Sequence, residues 1–182
     1  MNLIILFGPP AVGKTTIGTL LEQKLGYRLF HNHMIMDGVM HIFGRGSPSE
    51  DRLSKVIRTA VIQEAADAKI DLIFTYVWNF SREKGKHNID TYKHIYEAQG
   101  GNVYFVELVA DLPVRVIRAE DTARYILKPH APTPAQVADQ SDPAKFQSPM
   151  PFYYPSNYLK VNTTHKTPNE VLHAITLWLN SF

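Results

Sequence analysis

Apolar positions recur along this chain in two rhythms. Residues 2–7 (NLIILF) form a short, almost unbroken apolar run, as in a strand buried on both faces. From Lys14 the rhythm becomes helical: Ile17, Leu20, Leu21 and Leu25 share a stripe that Gly26 ends. Residues 27–32 (YRLFHN) read as a second strand. Ser47-Pro48-Ser49-Glu50 is a capping box with proline at the first helical position. The helix it opens is expected to bury Leu53, Val56, Ile57, Ala60 and Val61. Residues 70–78 (IDLIFTYVW) give a third strand, and a weaker helix covers about 88–99, ending at Gly100-Gly101. Residues 102–109 (NVYFVELV) give a fourth strand, with a helix from Pro113. Residues 158–162 (YLKVN) give a fifth. Thr167-Pro168-Asn169-Glu170 is a second capping box, starting a final helix with Val171, Leu172, Ile175, Trp178 and Leu179 inward.

Strands alternating with helices imply an α/β fold, a parallel sheet covered on both faces. Ligands of such sheets sit at the carboxyl ends of the strands. Residues 129–155 break the rhythm, holding seven of the chain's twelve prolines with almost no periodicity. Two readings are open for them: a wrapped surface loop, or a lid over a substrate.

The 182 residues suit a single domain, 1–182, and 45% apolar content is enough for its core. Without cysteine the chain has neither disulfides nor thiolate metal sites, which suits a reducing, cytoplasmic setting. MNLIILFGPP has no basic leader or cleavage pattern, and no stretch approaches the ~18 apolar residues of a membrane span. The net charge is +2, with Lys and Arg scattered rather than massed. A nucleic-acid partner is therefore not expected, and neither is a membrane. A small-molecule partner is, with the chain a monomer or a homodimer.

The most specific chemistry lies at residues 8–15, GPPAVGKT, which match G-x-x-x-x-G-K-[ST] between a predicted strand and a predicted helix. Glycine permits backbone angles that turn successive N–H groups inward around an anion at a helix N-terminus. Pro9 and Pro10 lack N–H groups, so the donors must come from Ala11, Val12, Gly13 and onward to Thr16. Lys14 is expected on the β- and γ-phosphates, and the Thr15 hydroxyl on Mg²⁺. The ligand this predicts is a nucleoside triphosphate, ATP in the first instance.

With the loop placed, the chain resembles the small P-loop kinases, most closely shikimate kinase and its gluconate-kinase-like relatives. The resemblance implies a P-loop NTPase three-layer α/β/α sandwich with five parallel strands, like the nucleoside monophosphate kinases. It also implies an acceptor-side helical region at about 34–66 and a lid or irregular segment at about 118–155. The relatives carry a Phe-x-Asp-x-Asp-x-x-Ile-Glu-like segment on the second strand; here it reads Leu29-Phe30-His31-Asn32-His33-Met34-Ile35-Met36-Asp37. Their Ile-Phe-x-x-Gly segment is matched by Ile42-Phe43-Gly44-Arg45-Gly46, and their Phe-Arg pair by Asp51-Arg52. Their lid arginine falls on Arg118, and a second basic lid position falls near Arg124 or Lys128. Their adenine-wrapping turn is matched by residues 161–168, which brings Thr163 and Thr167 to the cofactor. The chain also departs from them. His31 and His33 replace paired aspartates, and Thr75-Tyr76-Val77-Trp78-Asn79 replaces a glycine run that touches the acceptor.

His31 and His33 alternate on the second strand, so they are expected to face one side together near its carboxyl end. A kinase base must accept the acceptor hydroxyl's proton, which a neutral imidazole can do. With a helix starting near His33, Asp37 follows one turn later and is expected to be the base. Structural histidines bonded to backbone are the alternative. Either Asp37 or Asp111 is expected to support the metal. Arg52 is placed to hold an anionic group of the acceptor, or else to pair with Glu50 or Asp51. Arg118 and Arg124 are expected to close over the transferring phosphate, and Arg115 to face solvent. Trp78 and the Pro151–Pro155 stretch are read either as an aromatic acceptor pocket or as core or a subunit interface, the latter preferred for Phe152–Tyr154. The function this predicts is transfer of the ATP γ-phosphate to a small hydroxylated molecule. The alternative is a nucleotide-binding ATPase or switch without such an acceptor.

Overall fold

The structure, a computed structural model, describes residues 1–140, 142 and 145–182. Five strands, β1 (Asn2–Phe7), β2 (Arg28–His31), β3 (Leu72–Tyr76), β4 (Asn102–Val109) and β5 (Tyr158–Asn162), pair in parallel in the order β2-β3-β1-β4-β5. β1 therefore lies at the centre, and the turn that leaves its carboxyl end lies between those of β3 and β4. Its side chains alternate across the sheet. Leu3, Ile5 and Phe7 join one core with Ile62, Ile89, Tyr92 and Tyr96, while Ile4 and Leu6 join the other with Ile17, Leu21, Val171 and Ile175.

Those partners define the outer layers. α1 (Lys14–Leu25) and α8 (Pro168–Leu179) cover one face; α3 (Pro48–Asp67) and α4 (Glu83–Ala98) cover the other. α2 (His33–Phe43) packs on α3. α5 (Leu112–Glu120), α6 (Arg124–Leu127) and α7 (Pro134–Ala138) follow β4. This is the expected three-layer α/β/α sandwich. Both predicted helix starts form: Ser47 and Thr167 accept hydrogen bonds from the backbone N–H of Glu50 and Glu170. At Thr167 the box is reciprocal, whereas the Glu50 carboxylate accepts from Gly46 N–H and from the Ser54 hydroxyl.

α3 corrects the expected stripe. Val56, Ala60 and Val61 are exposed, and the buried face carries Glu50, Ser54, Arg58, Ile62, Ala65 and Ala66. The inward face is polar in its first half, and its Arg58 reaches the ligand cavity described below. α4 begins earlier than expected, at Glu83, where Gly85 packs against Trp78.

The proline-rich segment is neither wholly irregular nor wholly superficial. Its α7 is closed by a reciprocal Thr133–Gln136 capping box and packs on α5. Ser141, Pro143 and Ala144 of the expected lid lie outside the described residues. Further on, Ser148 donates its N–H and its hydroxyl to the buried Glu107 carboxylate at 3.2 and 2.6 Å. Lys160 stands 3.4 Å from the same carboxylate. Phe152 then enters the core between Phe7, Phe105 and Tyr158. Trp78 is 1% exposed and stacks on Phe80 there, so it and Phe152 belong to the core, not to an acceptor pocket.

Candidate active site

The phosphate loop leaves the central strand and enters α1. Gly13 caps that helix with φ 100°, and a Cβ there would meet nothing within 4 Å, so a side chain would be strained and would project into open space. Gly8 is required for packing instead. Its φ is 142°, and a Cβ would stand 2.1 Å from the Leu108 carbonyl oxygen. Lys14 folds back over the loop and donates to the Gly8 and Pro9 carbonyls at 2.8 and 2.7 Å. Burial, with Lys128, Arg115 and Arg124 nearby, holds its ammonium well below the ordinary lysine range. The neighbours that shift Lys14 are thus all cations, a surrounding that a polyanion would relieve.

One cavity of about 730 Å³ opens over this loop and runs across the carboxyl ends of β1, β2 and β3. Its loop wall is residues 10–17, so Ala11, Val12, Gly13, Lys14, Thr15 and Thr16 all lie on it. An ATP phosphate chain fits this wall, whose open Gly13 and cation-ringed Lys14 supply the cradle. Thr15, expected from the loop motif to hold Mg²⁺, lies on this wall and would supply its hydroxyl to the ion. Among the described residues no three His, Asp or Glu side chains group as a metal site.

At one end of the cavity Thr163 is buried, and its hydroxyl lies 3.4 Å from the Val12 carbonyl to which it donates. Arg118 donates to the Thr163 hydroxyl at 3.0 Å and to its carbonyl at 2.7 Å. Arg118 therefore fastens the β5–α8 turn, and it lines the cavity as well. Thr167 does not line the cavity; its hydroxyl is engaged by Glu170 in the capping box. Arg115, expected at the surface, is buried behind the loop and points Nη1 at the Pro10 carbonyl, 3.5 Å away. Arg124 and Lys128 do line the cavity from the segment after α5. Burial, with Arg124 close by, lowers the Lys128 pKa.

The other wall comes from β2, α2, α3 and β3. His31 ends β2 and His33 begins α2, so the two histidines do not share a strand face. His33 lines the cavity; His31 and Asp37 do not. His33 Nδ1 and Asp37 Oδ1 are 2.8 Å apart, the one-turn pairing expected from their spacing. Burial lowers the pKa of His33 in spite of Asp37, and lowers that of His31 as well. Asp111, the other expected metal partner, caps α5, and Asp121 is the carboxylate that lines the cavity among the described residues.

Arg52 is exposed and absent from this wall. Arg58, two turns further along α3, stands on the wall and donates from Nε to Asn32 Oδ1 at 2.6 Å. Its guanidinium lies 6.0 Å from the Tyr76 ring centroid. Asn32 in turn donates its N–H to the Thr75 hydroxyl at 3.1 Å. Met36, Met40, Tyr76 and Val77 give the wall its apolar surface. Apolar periodicity does not point to Arg58 or Asn32, because it turns the aliphatic stripe of α3 inward. The signal for Arg58 is the i, i+4, i+8 row Glu50, Ser54, Arg58, which forms an alternative inward face.

No protein-family model matches the sequence, and no curated protein does. Solved structures do. A candidate kinase from Chloroflexus aurantiacus superposes with TM-score 0.70 at 18% identity, over 97% of each chain. A sugar kinase from Janibacter sp. HTCC2649 gives TM-score 0.69 at 16% identity, over 99% of this chain and 95% of that one. Shikimate kinase from Acinetobacter baumannii gives 0.62 at 17%, over 98% and 93%. At such identities the likeness establishes the architecture: this chain has the fold of the small P-loop kinases, shikimate kinase among them, with His31 and His33 where the resemblance calls for paired aspartates.

Proposed function

We propose that this chain is an ATP-dependent kinase of a small hydroxylated molecule, with His33 as the base and Asp37 behind it. The base role passes from Asp37 to His33 because His33 is the member of the pair that stands on the cavity wall. One observation carries the reading: the phosphate loop and His33, with Asp37 bonded behind it, reach a single cavity from two walls. ATP supplies the γ-phosphoryl group, held with Mg²⁺ on the loop by Ala11–Thr16. Asp37 accepts from His33 Nδ1, which leaves Nε2 as the ring's free acceptor. The lowered pKa keeps the ring neutral, so it can take the acceptor's proton as its oxygen bonds to phosphorus. Lys14, Arg124 and Lys128 stabilise the charge spread over the transferring group. Arg58 and Asn32 orient the acceptor against Met36, Met40 and Tyr76. Arg118 and Thr163 shape the nucleotide end.

The test is ADP release from Mg-ATP, alone and with pooled sugars, polyols, nucleosides, shikimate-like acids and aminoglycoside- or nucleoside-type antibiotics. Lys14→Ala is the blank. A Lys14-dependent rise with one pool is the expected result. A Lys14-dependent rate that no pool changes would replace this reading with an ATPase or switch.

A further inference from the structure

The segment that follows α6 brings one more group to the proposed base. His130 Nδ1 stands 3.7 Å from Asp37 Oδ1, the same oxygen that His33 engages at 2.8 Å. Asp37 Oδ2 and His130 Nδ1 are each buried without a hydrogen-bond partner among the described residues. The His130 backbone is held in place from both sides: Arg45, in the loop between α2 and α3, donates to its carbonyl, and Ala131 N–H donates to the Lys128 carbonyl at 2.9 Å. Two imidazole nitrogens thus converge on one carboxylate, and only one of the contacts is at hydrogen-bond length.

We propose that His130 is a positioning residue of the same site: it docks on Asp37 and so ties the seating of residues 128–132 to the orientation of the His33 ring. This rests on the kinase reading above. A shift of about one ångström would turn the 3.7 Å approach into a hydrogen bond from Nδ1–H to the carboxylate. Asp37 would then be fixed by two imidazoles, one on its own helix and one from the covering segment. The His33 ring is held through Asp37, so fixing the carboxylate narrows the ring's range. The same turn brings Lys128, which lines the cavity, so seating His130 also seats a cation over the phosphate end.

The contact between His130 and Asp37 sits among other charged and titratable groups. From α2, His33 and His41 face it, the His41 ring lying 6.3 Å from that of His130. His31 from β2, Lys14 from α1, and Lys128 and Arg124 from the covering segment complete the field, and Arg45 reaches in from the α2–α3 loop.

The test uses two variants of the full chain. His130→Ala removes the contact, and His130→Asn keeps an N–H where Nδ1 stands. The first readout is the titration of the His33 ring by NMR, which requires no acceptor. In His130→Ala the His33 titration should move to higher pH than in the wild type, because its competitor for Asp37 is gone, and in His130→Asn, which keeps the N–H, it should stay close to the wild type. The second readout is turnover with the acceptor found above. His130→Ala should lower kcat about tenfold with the ATP KM unchanged, and His130→Asn should restore it to within about threefold of wild type. An unchanged His33 titration in His130→Ala overturns the proposal whatever the kinetics show. A shifted titration with unchanged kcat overturns the positioning role. If His33→Gln keeps full turnover, the base assignment fails instead, while the NMR readout still decides whether His130 meets Asp37.

Discussion

In the proposed reaction His33 and Arg58 carry the chemistry at the level of single side chains. His33 has a depressed pKa because its ring is shielded from water, and Asp37 offsets that only in part. A base must be neutral to work. Activity should therefore be level above pH 6.5, the ordinary histidine value, and fall only as pH drops through the lowered one. The kcat/KM profile of the wild type checks this, and an acid flank centred above that ordinary value would contradict it. His33→Gln should lower kcat about 10²–10⁴-fold with ATP binding retained. The two arginines of α3 give the opposite contrast. Arg52→Ala, at an exposed site, should leave kinetics unchanged. Arg58→Gln should raise the acceptor KM about 10–100-fold, the worth of a hydrogen bond to a charged group. Steady-state kinetics on both variants separate the sequence-based expectation from the observed wall.

Among the helices and strands, the capping boxes show how a motif can be right about structure and uninformative about function. The resemblance to shikimate kinase places Thr167 near the cofactor. Its hydroxyl is instead engaged by Glu170 at the start of α8, away from the cavity lining. Thr167→Ala should cost about 1 kcal/mol in urea denaturation and leave the ATP KM unchanged. Thr163, four residues earlier, and Lys166 line the cavity from this turn, because β5 ends beside the phosphate loop and Arg118 holds Thr163 there. The strands are legible from their apolar runs, since a strand buried on both faces cannot hide its composition. α3 is not. Its aliphatic stripe and its buried face lie on different sides of the helix, and periodicity reports only the aliphatic one.

Across the protein as a unit, the main consequence is a cluster of cations around an open phosphate loop. A bound polyanion relieves their repulsion and stabilises the folded state by mass action. Mg-ATP at about a hundred times its Kd should raise Tm by roughly 5–10 °C for a chain of this size. The rise should vanish in Lys14→Ala, and thermal denaturation monitored by circular dichroism reads both. Among the described residues, no helix is long and apolar enough to cross a membrane.

Local pattern along the chain was enough to set the succession of the five strands, the phosphate loop between the first strand and its helix, both capped helix starts, and the His33–Asp37 pairing. Each of these is a run, a fixed spacing, or one helical turn. Long-range packing chose which distant partners meet. It sent Trp78 into the core, put Arg58 rather than Arg52 on the cavity wall, tied Arg118 to Thr163, buried Arg115 behind the loop and brought His130 to Asp37. The physical reason is common to all five. Which face of an element is inward depends on what packs against it, and no pattern within the element records its neighbours.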